Sequence, residues 1–210
     1  FVSSRFWSNP YIKGIGWGSA ELIETGMGYA IKPQIAINDS GIAFAVWVQE
    51  DGTDQVKIWS NRYTPGDGWG SAEIIDANLP PGKSTNPKIA ADSQGNAIAV
   101  WFQSDDGNTS HNAWANRYTP GSGWGSPEMI ETDTPESNYD RTSTLVSPGY
   151  HNQLQIAFDS QNNAVVVWRH DYRDKPQTLW FNRHTPNNGW SGAEAIDEEN
   201  IYRAGAPDIA

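Results

Sequence analysis

One segment that comes back four times constrains this chain more than any other feature. Gly16-Trp17-Gly18-Ser19-Ala20-Glu21 returns as Gly68-Trp69-Gly70-Ser71-Ala72-Glu73 and as Gly123-Trp124-Gly125-Ser126-Pro127-Glu128. It returns more loosely as Gly189-Trp190-Ser191-Gly192-Ala193-Glu194. The tryptophans stand 52 residues apart from 17 to 69, 55 from 69 to 124 and 66 from 124 to 190. A period near 50 belongs to propeller blades and other arrays, in which each unit buries its apolar face only against its neighbours.

Within a unit, four strand-like pieces follow one another. Strand A is Pro33-Gln34-Ile35-Ala36-Ile37, matched by Pro87-Lys88-Ile89-Ala90-Ala91 and Leu154-Gln155-Ile156-Ala157-Phe158. A turn of Asp, Ser, Gly and Asn leads into apolar, β-branched strand B at 42–49, 98–103 and 165–170. Strand C alternates through Ile58 to Tyr63, Ala113 to Tyr118 and Leu179 to His184, and a short strand D such as 72–75 follows the Gly-Trp-Gly segment. Four antiparallel strands per unit describe a blade. The expectation is therefore an all-β, β-propeller-like array of about four β-meander blades, forming a single repeat domain over 1–210. Its units are about 1–26, 27–80, 81–135 and 136–199. Phe6 to Tyr11 reads as a strand C and 206–210 as a strand A, so the two termini are expected to close one blade and hide the sheet edges.

Composition narrows the function classes. Eleven Trp, 20 Gly and 13 Pro with no Cys suit aromatic-punctuated strands and many turns, and exclude disulfides and thiolate metal sites. A net charge of -11 opposes phosphate contact, so nucleic acid and anionic membranes are set aside. No apolar run approaches the roughly 20 residues of a membrane span, and no basic, apolar signal segment opens the chain. An acidic, Cys-free, Trp-rich array reads as a secreted protein at a bacterial cell surface, and as a non-enzyme.

The repeated aromatics are expected to be blade-to-blade core, with sugar stacking the minority role. Arg62, Arg117 and Arg183 hold one repeat position each and read as structural anchors rather than a substrate clamp. Acidic loops at 50–54 and 104–108 offer oxygen ligands of the kind calcium takes, but read first as solvated hairpin tips.

The repeat breaks in its third full unit. Strand B ends Trp47-Val48-Gln49 and Trp101-Phe102-Gln103, then Trp168-Arg169-His170, so a histidine replaces the glutamine. That unit also carries an insertion, 133–150, which delivers His151 just before strand A. A hairpin about 159–163 pairs residues whose numbers sum to about 322, which sets His151 or Asn152 opposite His170. Trp168, two residues before His170, shares its face of the strand. His111, opening strand C of the preceding blade, is the alternative second imidazole. Imidazoles without thiolate suit copper or zinc, and no carboxylate is evident as a third ligand.

Trp168-x-His170 with a second histidine resembles the copper site of the methanotroph surface proteins of the MopE and CorA group. The resemblance implies a mononuclear Cu(I) held by two imidazoles and by a tryptophan oxidised to kynurenine, here Trp168, for copper acquisition or storage. The rival reading is a glycan-binding surface propeller that uses rim Trp, Asn and Asp side chains once per blade. A purely structural or adhesive array is the third.

Overall fold

The computed structural model describes residues 5–24, 28–53, 55–80, 82–104, 111–131, 154–170 (the last by its backbone alone), 178–196 and 209. Every regular element among them is a strand. Two short pairs come first: β1 (Trp7–Ser8) pairs with β4 (Glu21–Leu22), and β2 (Tyr11–Ile12) with β3 (Gly16–Trp17). Three five-stranded antiparallel sheets follow. The first holds β5 (Ala30–Ile37), β6 (Ala43–Glu50), β7 (Val56–Thr64), β8 (Gly68–Trp69) and β9 (Glu73–Ile74). The second holds β10 (Ser84–Ala91), β11 (Ala97–Ser104), β12 (His111–Thr119), β13 (Gly123–Trp124) and β14 (Glu128–Met129). The third holds β15 (Leu154–Phe158), β16 (Ala164–His170), β17 (Thr178–Thr185), β18 (Gly189–Trp190) and β19 (Glu194–Ala195).

The expected strand D departs from the single strand read at 72–75. The piece read there is present as Glu73–Ile74, but a further short strand, Gly68–Trp69, stands before it across a break, and both pair with strand C: Tyr63 faces Trp69 while Trp59 faces Ile74. The break is held open by a side chain. Asn61 Nδ2 donates to the Gly70 carbonyl at 3.1 Å, standing in for the ladder bond that the gap omits. The first unit differs as well. Phe6 to Tyr11 is not one strand C, because Pro10 carries no N–H and splits it into β1 and β2. The closing strand expected at 206–210 lies outside the described residues apart from Ile209.

Strand B is the reason for the continuous apolar runs. In β6, Ala45 and Trp47 pack on Ile23 and Phe6 before the sheet, while Phe44, Val46 and Val48 pack forward on Ala97, Ala99 and Trp101 of the second sheet. The next junction repeats the scheme with Ile98, Val100 and Phe102 against Leu154, Val166 and Trp168. A strand covered on both faces cannot alternate apolar with polar. Trp47, Trp101 and Trp168 are each 0 to 1% exposed, and each drives its indole back into the preceding layer. Trp7 and Trp17, in the two small pairs at the start, are instead 61% and 70% exposed.

The sheets are also stitched by one repeated asparagine. Asn61, Asn116 and Asn182 each aim Nδ2 at a backbone carbonyl of the preceding layer: Ile23 at 2.7 Å, Ile75 at 2.8 Å and Ile130 at 2.8 Å. The A–B turns are self-capped. Asp92 Oδ1 accepts the N–H groups of Gln94 and Asn96, and Gly95 takes the left-handed position at φ 84°. Asp159 repeats this, with Asn162 in the place of the glycine at φ 63°.

Candidate functional site

In the first two five-stranded sheets, at the end where strand A begins and strand B finishes, polar groups collect under the aromatic core. In the first sheet Trp47 Nε1 donates to Gln49 Oε1 at 2.7 Å, and Gln49 Nε2 reaches Glu24 Oε2 at 3.4 Å. In the second, Ser84 Oγ donates to Asp76 Oδ2 at 2.5 Å and approaches Gln103 Oε1 at 3.3 Å. Gln103 Nε2 donates to the Pro80 carbonyl. Each cluster thus joins the last glutamine of strand B to an acid that follows strand D or to its partner, and in the second sheet the first residue of strand A, Ser84, links the two.

Those acids are Glu24, Asp76 and Glu131, all at most 6% exposed. Burial pushes the Asp76 carboxyl above the usual carboxylate range, the Ser84 hydroxyl opposing it. Glu131 Oε2 accepts the Ala113 N–H at 3.1 Å, which ties the acid to strand C of its own sheet. These carboxylates were missed in reading the sequence, although a signal was there. Ile23-Glu24, Ile75-Asp76, Ile130-Glu131 and Ile196-Asp197 recur once per unit, each an acid directly after a strand-D isoleucine.

In the third sheet Trp168 faces Leu154 on one side and Trp180 on the other. The register there has the expected sum of 322, from Leu154 with Trp168 to Phe158 with Ala164. Trp168 is 1% exposed, and among the described residues its Nε1 has no hydrogen-bond partner. The backbone of His170 ends β16 opposite Thr178, its side chain lying outside the described residues. His151 lies outside them too. His111, the alternative imidazole, opens β12 opposite Ser104 and is half-buried. Among the described residues no group of three His, Asp or Glu is arranged to hold a metal ion.

The two acidic loops divide. Asp51 is a half-buried turn residue whose carboxylate accepts the Thr53 hydroxyl at 2.6 Å and the Thr53 N–H at 2.8 Å, contacts that hold its carboxyl below the usual range. That carboxylate caps its own turn. Asp54 and residues 105–108 lie outside the described residues. The repeated arginines are structural where their contacts are described. Arg62 stacks 5.8 Å over Phe44 and 5.7 Å over Tyr118, and Arg183 lies 3.7 Å from Asp159.

No helix among the described residues is long and apolar enough to cross a membrane. A scan against protein-family models and a search of curated proteins find no match. Among solved structures, the catalytic domain of the Coprinopsis cinerea GH62 α-L-arabinofuranosidase is similar over 83% of this chain and 54% of that one, at 15% identity and a TM-score of 0.42. The chain spans about half the length of that structure. Because that structure is a catalytic domain, the expectation of a non-enzyme is corrected and withdrawn. At this level the likeness assigns no activity to this chain.

Proposed function

We propose that the chain is a β-propeller-like array whose third full unit binds one copper ion, held as Cu(I) by His170 and His151 beside Trp168. The observation that carries this reading is repeat equivalence. Gln34, Lys88 and Gln155 occupy one register position, opposite Val46, Val100 and Val167. Counting back four residues gives Ala30, Ser84 and, in the third unit, His151. The strand-B counterparts are Gln49, Gln103 and His170. In the second sheet the two counterparts are in contact, Ser84 Oγ to Gln103 Oε1. In the first, the indole nitrogen of Trp47 meets the side chain two residues on. By that equivalence the third unit exchanges a serine and a glutamine for two imidazoles, next to an indole nitrogen that has no partner among the described residues.

The donor set fits a soft ion. Two neutral imidazoles with no thiolate suit copper, and protonating the imidazoles releases it. Glu131, counterpart of Asp76, supplies the carboxylate that the sequence reading lacked. A carboxylate beside a metal-bound imidazole accepts its second N–H and fixes the ring. An intact indole N–H only donates. In the oxidised form that the resemblance implies, dioxygen opens the pyrrole ring, hydrolysis removes one carbon as formate, and the former indole nitrogen becomes an aromatic amine able to ligate.

The test restores the repeat. His170→Gln and His151→Ser install the residues of the second unit at these positions and so keep the fold. An anaerobic competition titration with a chromophoric Cu(I) chelator is expected to show one tight site in the parent chain, lost in either variant and kept in His111→Ala. Unchanged stoichiometry in His170→Gln overturns the assignment.

A further inference from the structure

A second break in the repeat lies at the other end of the sheets, between the second and third. At the junction of the first and second, Phe44 and Tyr118 pack edge-on with ring centroids 4.8 Å apart, the Arg62 guanidinium lies over both at 5.8 and 5.7 Å, and Trp124 adds a further edge-on contact to Phe44. The counterparts one unit later are Arg117, Ile98, His184 and Trp190. Isoleucine and histidine are smaller than phenylalanine and tyrosine, and the space they leave is a cleft of about 270 Å³ lined by Ile98, Arg117, Ser126, Glu128, His184 and Trp190.

Several polar groups of this cleft have hydrogen-bonding capacity left over among the described residues. His184 is 9% exposed, yet among the described residues its buried Nδ1 has no partner, which a folded protein rarely tolerates. Its ring packs edge-on against Trp190 at 5.1 Å, and burial, with Arg117 adding to it, holds the imidazole below its ordinary pKa, so it is neutral near pH 7. Arg117 gives one N–H to the Thr119 hydroxyl at 3.1 Å. Among the described residues neither Arg117 nor Glu128 is in an ion pair with another.

We infer that this cleft binds a single neutral sugar unit. The argument is one of matching donors and acceptors. A guanidinium asks for acceptors, a carboxylate for donors, and a neutral imidazole can serve either. An anionic ligand meets Glu128 and a cationic one Arg117, whereas a neutral polyol satisfies both with its hydroxyls. Trp190 supplies an aromatic wall for the apolar face of a sugar ring. The volume sits just under the roughly 300 to 1,000 Å³ typical of ligand pockets, which suits one ring rather than a chain of them. The site occurs where the aromatic pair is lost and not once per unit, and it is independent of the proposed metal.

Saturation-transfer NMR on the full chain tests this, with methyl glycosides of neutral hexoses and pentoses as probes and a uronic acid and an amino sugar beside them. Saturation of at least one neutral glycoside is expected in the parent chain. It should vanish in Ile98→Phe/His184→Tyr, which rebuilds the filled junction of the first two sheets. Glu128→Ala, at an exposed position, is expected to weaken that glycoside by about tenfold or more. Saturation of the charged sugars alone, of no sugar, or an equal signal in the filled variant overturns the inference.

Discussion

Replacing Asn116 by alanine tests the claim that the junctions are stitched by one repeated side chain. Asn116 is 3% exposed, and its Nδ2 serves two carbonyls, that of Ile75 in the preceding sheet at 2.8 Å and that of Gly125 at 3.1 Å. Alanine leaves the first carbonyl buried without a donor, which costs about 1–3 kcal/mol, and the second, partly solvated, about 0.5–1.5 kcal/mol. The sum is about 1.5–4.5 kcal/mol. For a chain of this size each kcal/mol moves Tm by about 2–4 °C, so a fall of about 3–18 °C is expected in a thermal melt, with a matching loss in the urea midpoint. Asn116→Asp should be no better, since it removes both donors and turns a carboxylate toward two carbonyl oxygens. A loss under about 0.5 kcal/mol in Asn116→Ala would refute the reasoning, because the stitch would then be incidental to the packing around it.

Trp101→Ala is expected to cost about 3–5 kcal/mol in urea unfolding, since the indole is fully buried against the first sheet. Asp76→Asn keeps the shape of a buried acid whose carboxyl is pushed up by desolvation. A raised carboxyl adds stability that is full below its unfolded pKa near 3.8 and is lost as pH rises through the folded value, so the variant should match or exceed the parent at neutral pH and lose that gain on acidification. His184 behaves oppositely. Its folded pKa is lowered, so the unfolded chain takes the proton first and stability falls as pH drops below about 6.5, a slope that His184→Gln should flatten in urea midpoints measured from neutral to mildly acidic pH.

The repeat and the order of its strands were legible because each strand type has its own pattern. Strand B is an unbroken apolar run, and it is so because it packs on a sheet at each face. The two-piece strand D was not legible, since the signal for its break is a single asparagine on a different strand, Asn61 or Asn116, whose amide replaces a ladder bond nine residues away. Nor did apolar periodicity warn of Pro10 dividing the first strand C, though the missing N–H requires it. The register that pairs Leu154 with Trp168 followed from the length of one turn. The acids did not, because Glu24, Asp76 and Glu131 look like solvated charges until the following sheet is seen to cover them. The cleft beside His184 was hidden for a related reason. A substitution of Phe44 by Ile98 reads as conservative in sequence, and only the ring stacked on Arg62 shows what the smaller side chain leaves unfilled.

The most direct test of the central claim is native mass spectrometry of the chain produced in copper-replete medium, with the mass of the peptide bearing Trp168 read from the same sample. The account predicts one copper per chain, absent from His170→Gln. In the kynurenine form it also predicts a peptide that has lost one carbon and gained one oxygen. A metal-free parent chain with an unaltered Trp168 peptide would contradict it.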